Sequence, residues 1–199
     1  MKRIAIIGAG PAGLMAAQTA LEYGARVSIY EAMPSAARKF LMAGKSGLNI
    51  SHAEAPDDFV RRYEAPDKRL NEIVSAFGAE EIRRWMDDLG EPSFVGTSGR
   101  IFPSAMKASP LLRKWLRRLS EAGATLEARH RWMGWTAGGQ LAFRAPEGEV
   151  EITADATILA LGGKSWSRLG SDGEWTDILA ARGVQMDAFE PSNCGFSVD

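Results

Sequence analysis

The first thirty-one residues alternate between strand-like and helix-like hydrophobic patterns. Residues 3–7 are apolar without alternation, which predicts a buried central strand, and residues 26–31 predict a second strand. Between them, residues 12–23 are rich in Ala, Leu and Met and predict a helix that ends at Gly24. A strand, a tight loop, a helix and a strand within about thirty residues are typical of a βαβ unit.

In the middle of the chain, the spacing of apolar residues changes several times. Residues 32–55 show no clear periodicity, and such a long irregular stretch inside a domain is more often functional than not. Residues 56–89 carry apolar side chains three and four apart, which predicts helical structure. Residues 93–103 predict a loop or a pair of short strands. Residues 110–122 predict an amphipathic helix whose basic residues face solvent, namely Arg113, Lys114, Arg117 and Arg118.

The last third of the chain is rich in predicted strands. They cover residues 125–135, 140–145, 149–153 and 156–161. Residues 175–182 predict a final helix, which Gly183 caps. Taken together, the elements predict an α/β fold class, a Rossmann-like domain with a parallel central sheet and an added β-meander.

Composition narrows the class of protein only modestly. The chain has 199 residues, of which 45% are hydrophobic and 25% charged, as expected for a soluble globular domain. Its formal net charge of -1 gives no electrostatic reason to expect nucleic acid or an anionic membrane as partner. The chain contains a single cysteine, Cys194, which fits a cytoplasmic location and is expected to be a packed side chain. No apolar run reaches the length of about 18 residues that a membrane span needs.

Residues 8–13 form the sequence Gly-x-Gly-x-x-Gly directly after the first strand and before the first helix. In this position the first glycine allows the tight turn, the second lets a pyrophosphate approach the backbone, and the third lets the helix pack on the sheet. The helix N-terminus then offers free N–H groups and a partial positive charge to the phosphates. The motif in this context predicts an adenine dinucleotide site.

Two further features accompany the loop. Glu31 ends the second strand about 20 residues beyond the loop, where a carboxylate accepts hydrogen bonds from ribose hydroxyls and disfavours a 2′-phosphate. The alternative is a solvated glutamate at a strand end. Residues 158–163 form an apolar strand followed by two glycines, which would let a cofactor lie against the backbone, or would simply form a turn.

These motifs together resemble the flavoproteins with two dinucleotide-binding domains. More narrowly, residues 38–49 (RKFLMAGKSGLN) resemble the Arg-Lys-x-x-x-Ser-Gly-Gly-Gly-Arg-Cys-Asn stretch of the aminoacetone-oxidase-like, or bile-acid dehydro-reductase-like, bacterial flavoproteins. Residues 98–103, 107–108, 163–166 and 170–173 are similar to further motifs of that family. Gly47-Leu48 stands where the family has Arg-Cys, and Leu161 stands where threonine is usual.

The resemblance implies FAD as cofactor, an oxidoreductase activity on a small-molecule substrate, and NAD(P)H as a candidate reductant. It also implies that residues 1–199 form an FAD-binding domain, with an inserted substrate domain and a C-terminal flavin-contacting segment outside it. Arg38 or Lys39 would lie beside the ribose or adenine, residues 44–49 would run towards the flavin, and Trp132 would contact adenine through its backbone. The cofactor-binding residues would be Gly8, Gly10, Pro11, Ala12, Gly13, Glu31, Ala32, Arg38, Lys39, Gly44, Lys45, Ser46, Gly47, Asn49, Trp132, Ala160, Leu161 and Gly162.

Catalytic residues cannot be assigned from the sequence. His52 is a candidate acid or base, whereas His130 lies between two arginines on an expected surface, and neither has a partner at metal-ligand spacing, so no metal site is expected. Lys45 is a candidate to pair with phosphate or reduced flavin. Two other functions stay open: a non-catalytic nucleotide-binding fragment or subunit of a split flavoenzyme, and an NAD-dependent dehydrogenase.

Overall fold

The structure is a computed structural model that describes residues 1–63 and 68–190. The strands are β1 (Arg3–Ile7), β2 (Arg26–Glu31), β3 (Ser51–His52), β4 (Ser93–Val95), β5 (Arg100–Pro103), β6 (Thr125–Ala128), β7 (Arg131–Trp135), β8 (Leu141–Ala145), β9 (Gly148–Ile152) and β10 (Ala156–Leu159). The α-helices are α1 (Pro11–Glu22), α2 (Arg38–Ala43), α3 (Pro56–Arg61), α4 (Lys68–Ala76), α5 (Ala79–Asp88), α6 (Ala108–Glu121) and α7 (Trp175–Ala180). The chain divides into two compact units. One is formed by residues 1–38 and 123 onward, and the other by residues 39–122.

The first unit is built on a parallel sheet with the strand order β10-β1-β2-β6. Its central strand β1 is nearly all apolar, as predicted, and Ile6 and Ile7 are buried. Helix α1 connects β1 to β2 and contacts β1, β2 and β10. The parallel sheet and the βαβ unit of the prediction are therefore confirmed.

Helix α1 ends as its sequence predicts. Gly24 adopts a φ of 75°, in the left-handed region that favours glycine. Its N–H donates to the carbonyl of Leu21 at 2.8 Å, and the N–H of Ala25 donates to the carbonyl of Ala20 at 3.0 Å. This pair of bonds is the Schellman arrangement, which satisfies carbonyl groups that a helix end would otherwise leave unpaired.

The predicted meander is present, but one of its strands was assigned wrongly. Residues 125–135 do not form one strand: β6 belongs to the parallel sheet and β7 to an antiparallel sheet with the order β7-β8-β9. The chain changes direction at Arg129, whose φ is 62°. A non-glycine residue in this region is uncommon, so the apolar pattern gave no sign of the break.

The two sheets of the first unit share a core. Ala5 and Ile7 of β1 and Tyr30 of β2 pack against Phe143 of β8, and the rings of Tyr30 and Phe143 stack with their centroids 4.5 Å apart. Ala5 and Ile7 lie on the same face of the sheet because side chains alternate along a strand. The meander thus packs against this face.

The second unit contains the antiparallel sheet β3-β5-β4 and helices α3 to α6. Here the sequence prediction was coarse. The stretch taken as irregular, residues 32–55, includes α2 and β3, and the described part of residues 56–89 is divided among three helices. Helix α5 begins after Gly78, whose N–H donates to the Glu81 carboxylate at 3.0 Å. No helix within the described ranges is long and apolar enough to cross a membrane.

The amphipathic helix α6 buries the apolar face that its sequence predicts, including Leu111 and Trp115, and Trp115 contacts Trp85 of α5 edge to face. Its basic face is not simply solvated, however. Lys114 contacts the carboxylate of Glu91 at 2.6 Å and the carbonyl of Gly90, and Arg118 donates to the carbonyl of Asp88. These two basic side chains therefore cap the end of α5.

We expect Lys114→Met to lower the free energy of unfolding by about 1–2 kcal/mol, because Glu91 is only 4% exposed and would lose its cationic partner. Urea unfolding monitored by tryptophan fluorescence measures the change. Arg113→Met is the matched control on the exposed face of the same helix, and we expect it to alter stability by less than about 0.5 kcal/mol. Equal effects of the two substitutions would contradict a specific role of the Lys114–Glu91 pair.

Candidate functional site

The loop between β1 and α1 is shaped first by Gly8. Its φ of 105° lies in the left-handed region, and its N–H donates to the carbonyl of Tyr30 at 2.8 Å. A Cβ at this position would lie 2.3 Å from the carbonyl oxygen of Ala160, which follows β10. Gly8 therefore fits between the ends of two neighbouring strands because it has no side chain.

Gly13 has an equally strict packing role in the first turns of α1. A Cβ there would lie 1.9 Å from the carbonyl oxygen of Gly8 and 3.3 Å from the Cβ of Ala160. The helix consequently approaches the loop backbone more closely than any side chain would allow. The structure thus gives Gly8 and Gly13 the turn and packing roles that the motif predicts.

Gly10 differs from the other two glycines. Its backbone is ordinary, with φ -79° and ψ 179°, and a Cβ at this position would meet no protein atom within 4 Å. Neither backbone conformation nor packing therefore requires glycine here. The absence of a side chain leaves open space in front of α1, which is where the motif places the pyrophosphate.

The N-terminus of α1 faces this open space without a side-chain cap. Gly10 occupies the N-cap position, and Pro11 is the first helical residue, so it lacks an N–H at a place where none is needed. The following N–H groups of the first turn have no partner within the helix. With the helix dipole, they favour an anion. The cradle at Gly10 and these donors fit a bound pyrophosphate.

Sheet topology supports the same location. Strand β1 lies between β2, reached through α1, and β10, which follows much later in the sequence. In open α/β sheets, ligands bind at the carboxyl ends of the strands where the strand order reverses. The glycine loop begins at the carboxyl end of β1 and so lies at this switch point.

The carboxylate of Glu31 is held in a defined orientation at the end of β2. One oxygen, Oε2, accepts a hydrogen bond from the N–H of Ala9 at 2.9 Å. The other, Oε1, accepts one from the N–H of Met33 at 2.8 Å. Each carboxylate oxygen has two lone pairs, so both keep capacity to accept bonds from ribose hydroxyls. Glu31 is thus a bonded part of the loop structure rather than the freely solvated strand end of the alternative reading.

The segment that follows β10 completes this part of the molecule. The N–H of Ala160 donates to the carbonyl of Ile7 at 2.8 Å, which continues the pairing with β1 beyond the end of β10. Leu161 packs against the core shared by the two sheets, and Gly162 adopts a φ of 72°. The predicted positions Ala160 and Leu161 therefore lie beside the glycine loop, and Gly162 follows them in the chain.

Two buried donors near these elements have no hydrogen-bond partner within the described residues. The Nε of Arg38 is buried and unpaired, while its Nη1 donates to Ser35 at 3.2 Å. An unpaired buried donor is costly, and a bound group that accepts from it would remove the cost. The Nε1 of Trp132 is also unpaired, but its ring is 6% exposed and belongs to the apolar core. The predicted contact of Trp132 concerns its backbone and stays a prediction.

Ala32 follows Glu31 in the first unit, and its contact with a cofactor stays a prediction; six further predicted positions lie in the second unit. Gly44 is packed so closely that a Cβ would lie 2.5 Å from the Cβ of Ala108. The N–H of Leu48 donates to the carbonyl of Met106 at 3.0 Å, and Leu48 is buried. Loop 44–49 is therefore fixed within its own unit. Contact of its members and of α2 with a cofactor stays a prediction for Lys39, Gly44, Lys45, Ser46, Gly47 and Asn49.

Both histidine side chains contact neighbouring groups of the protein. The Nε2 of His52 lies 3.1 Å from the carbonyl of Ser98, and its Nδ1 lies 3.6 Å from the carboxylate of Glu54. The side chain of His130 is 13% exposed and packs near Tyr30 and Phe143, so its expected surface position was wrong. In the residues that the structure describes, no group of three or more His, Cys, Asp and Glu side chains could hold a metal ion. Cys194 lies outside those residues.

An uncapped helix N-terminus behind a glycine loop, a fixed carboxylate at the end of β2 and a topological switch point define a dinucleotide-binding domain of the Rossmann class. Residues 2–195 match the family described as "HI0933-like protein Rossmann domain", and the chain belongs to this family. The family is one of FAD-binding Rossmann domains, which confirms the predicted resemblance and the predicted cofactor.

The comparisons with individual proteins agree with this assignment. A 3-dehydro-bile acid delta(4,6)-reductase from Clostridium scindens is 31% identical over 200 residues, which are 96% of this chain and 46% of that protein. The chain thus spans about half the length of this curated relative. Among solved structures, a 3-ketosteroid-delta4-(5alpha)-dehydrogenase from Rhodococcus jostii RHA1 matches with a TM-score of 0.61 at 14% identity, over 81% of this chain and 46% of that chain.

THI4 from Thermovibrio ammonificans has a similar fold, with a TM-score of 0.57 at 17% identity over 92% of this chain and 64% of that chain. A flavocytochrome c3 fumarate reductase matches with a TM-score of 0.59 at 17% identity, over 81% of this chain and 34% of that chain. At these identities the similarity concerns the fold alone.

The sequence did not reveal how Glu31 is held. The donors are main-chain N–H groups of Ala9 and Met33, which carry no signal in side-chain chemistry. Residues 170–173 were noted only as a motif of the resembled family, yet Gly170 packs directly on Met33: a Cβ there would lie 2.5 Å from the Met33 Cγ. The glycine at position 170 was the feature of the sequence that could have indicated this close packing.

Proposed function

We propose that this chain is the FAD-binding part of a flavin-dependent oxidoreductase that acts on a small-molecule substrate. The observation that carries the proposal is the open space at Gly10 in front of an uncapped helix N-terminus, in a domain of an FAD-binding family. An anion of pyrophosphate size fits this site in charge and position. The name of the curated relative, a reductase, supports a redox reaction.

The chain's own residues would bind and orient the cofactor. The N–H groups at the start of α1 would hold the pyrophosphate, and Glu31 would accept bonds from the adenosine ribose hydroxyls. The unpaired Nε of Arg38 would donate to an oxygen or nitrogen of the same half of the cofactor. Bound FAD would supply the electron-transfer chemistry, as cofactors do in such enzymes.

The remaining parts of the proposal rest on the family. The relative is about twice as long as this chain, so we propose that residues 1–199 supply the FAD-binding domain while a substrate domain and a flavin-contacting segment lie outside them. NAD(P)H is the proposed reductant. The proposed location is the bacterial cytoplasm, in agreement with the single cysteine of the chain.

The proposal predicts that the natural gene product purifies with FAD or binds added FAD, and that Glu31→Gln weakens this binding by about tenfold or more. The loss is expected because hydrogen bonds to a charged acceptor contribute about 1.5–3 kcal/mol. Flavin absorbance of the purified protein and calorimetric titration with FAD provide the measurements. Glu22→Gln, on the exposed side of α1, is the matched control and should leave FAD affinity unchanged.

Titration with NAD and with ADP separates the alternatives. Tighter binding of NAD than of FAD would overturn the flavin proposal in favour of an NAD-dependent dehydrogenase. Binding of ADP with no flavin uptake by the full gene product would favour a nucleotide-binding module without redox chemistry. Binding of neither nucleotide would contradict every function that rests on the glycine loop.

A further inference from the structure

Residues 162–175, which we call the clasp, form a loop closed by two hydrogen bonds to its own first residues. The hydroxyl of Ser171 donates to the carbonyl of Gly163 at 2.6 Å, and Ser171 is only 4% exposed. The indole N–H of Trp175 donates to the carbonyl of Gly162 at 3.2 Å. These two bonds tie the later part of the clasp to its first residues.

The centre of the clasp lies against the residue that orients Glu31. Gly170 adopts a φ of 95°, and a Cβ there would lie 2.5 Å from the Cγ of Met33 and 3.9 Å from the Oε1 of Glu31. The N–H of Met33 is the donor to that same Oε1. The clasp therefore packs on one of the two groups that hold the carboxylate.

An ion pair fastens the clasp to the start of β7. The Oδ2 of Asp172 lies 3.0 Å from the Nη1 of Arg131, and its Oδ1 accepts from the N–H of Glu174 at 3.2 Å. Arg131 also contacts the carboxylate of Glu174 at 3.3 Å. Burial raises the pKa of Asp172, but the hydrogen bonds from Glu174 and Arg131 outweigh it, so the pKa lies below its ordinary value.

The backbone next to Arg131 holds the other side of the Glu31–Met33 turn. The N–H of His130 donates to the carbonyl of Glu31 at 2.8 Å, and the N–H of Arg129 donates to the carbonyl of Met33 at 3.1 Å. Arg129 keeps a left-handed φ of 62°, a conformation that persists only where the surroundings impose it. The ion pair thus joins two segments that hold the same turn, the clasp from the side of Gly170 and residues 129–131 from the side of the backbone.

We propose that the clasp, fastened by the Asp172–Arg131 ion pair, is a positioning element that fixes the Glu31 carboxylate for the adenosine ribose of the cofactor. The inference rests on the proposed function, which assigns the ribose to Glu31. Asp172 and Arg131 act through Met33 and Glu31, so they are positioning residues. When the ion pair is lost, the clasp becomes less rigid. Part of the free energy of cofactor binding is then needed to order Glu31, and the affinity falls.

The test is Asp172→Asn in the full gene product, with the affinities for FAD and ADP measured by calorimetry. Asparagine keeps the shape of the side chain and removes the nearer of the two carboxylate charges that Arg131 contacts, while Glu174 keeps its own. We expect FAD and ADP to bind about 3- to 30-fold more weakly, by the same factor, since both carry the ribose that Glu31 recognises. Asp155→Asn is the matched control, because Asp155 pairs with Arg3 at the amino ends of β1 and β10, the opposite end of the sheet from the site.

A double-mutant cycle separates positioning from general weakening. If Asp172 acts through Glu31, Asp172→Asn should have a much smaller effect on ADP affinity in a protein that already carries Glu31→Gln. Equal losses in the two backgrounds, or an affinity of the Asp172→Asn protein equal to that of the unaltered protein, would overturn the inference and leave the proposed function standing. Failure of the unaltered protein to bind FAD would instead reject the proposed function.

Thermal unfolding shows whether the variants fold. Ser171→Ala, which opens the clasp from within, provides a second variant that leaves the ion pair in place. We expect it to weaken ADP binding in the same direction. An unchanged ADP affinity in both folded variants would overturn the inference.

Discussion

Gly10→Asp is expected to weaken FAD binding by more than about a hundredfold while the protein stays folded. A side chain at this position meets no protein atom within 4 Å of its Cβ, and the backbone conformation is open to any residue. Aspartate is also a favoured N-cap residue, so we expect the free energy of unfolding to change by less than about 1 kcal/mol. The substitution instead lowers the affinity for the ligand, because the new carboxylate occupies the space and the positive helix end that the pyrophosphate needs.

The size of the effect follows from charge. Two unit charges about 5 Å apart repel by about 3 kcal/mol at an effective dielectric constant of about 20, which corresponds to a loss of more than about a hundredfold in affinity. Calorimetry with FAD and with ADP measures the loss. Gly10→Asn is the matched control: it adds the same volume and the same capping ability without the charge, so its loss isolates the steric part. FAD affinity equal to that of the unaltered protein in both variants would show that the pyrophosphate lies elsewhere.

Gly13→Ala should do the reverse and damage the fold itself. Its Cβ would lie 1.9 Å from the backbone carbonyl oxygen of Gly8, which no change of a side-chain rotamer can relieve. Helix α1 would have to move away from the sheet, and we expect a loss of about 3 kcal/mol in the free energy of unfolding. Chemical unfolding measured by circular dichroism gives this value directly.

Gly10→Ala provides the matched comparison for this second prediction. It places the same methyl group three residues earlier in the same motif, at the N-cap of α1, where nothing in the protein opposes it. We expect its unfolding free energy to lie within about 1 kcal/mol of the unaltered protein. Similar stabilities for Gly13→Ala and Gly10→Ala would mean that the close approach of α1 to Gly8 does not contribute to stability.

Together these variants distinguish two roles of the glycines in one motif. Gly8 and Gly13 are required by the protein's own packing, whereas nothing in the packing requires Gly10, which we propose leaves room for the ligand. The sequence motif contains all three without distinguishing them. The distinction depends on which atoms surround each Cα, and those atoms include the backbone of Ala160, far away in the chain.

The sequence was sufficient where the decisive contacts are local or strictly periodic. The apolar run of β1, the helix α1 with Gly24 behind it, and Glu31 at the end of β2 all follow from neighbours a few residues apart. The family resemblance added FAD to this picture, and the family match confirmed it. Local pattern therefore determined the βαβ unit, and it predicted the class of ligand and the residues at the centre of the site.

Local pattern failed where a distant segment decides the outcome. Residues 125–135 carry strand-like sequence throughout, but pairing of β6 with β2 and of β7 with β8 requires a turn at Arg129. Lys114 looked solvated on a helical wheel, yet the end of α5 brings the buried Glu91 to it. In each case a partner lies too far along the chain to be evident from the local periodicity of apolar residues.

The glycine loop with its acidic partner shows the division most clearly. The sequence by itself determined that a carboxylate would stand at Glu31 and a glycine loop at residues 8–13. Only the tertiary structure decided that Ala9 and Met33 donate to that carboxylate, that Gly170 packs on Met33 and that Asp172 pairs with Arg131. Hydrogen bonds from backbone N–H groups and contacts over more than a hundred residues leave no trace in local side-chain pattern, because they arise only when the sheet brings strand ends together.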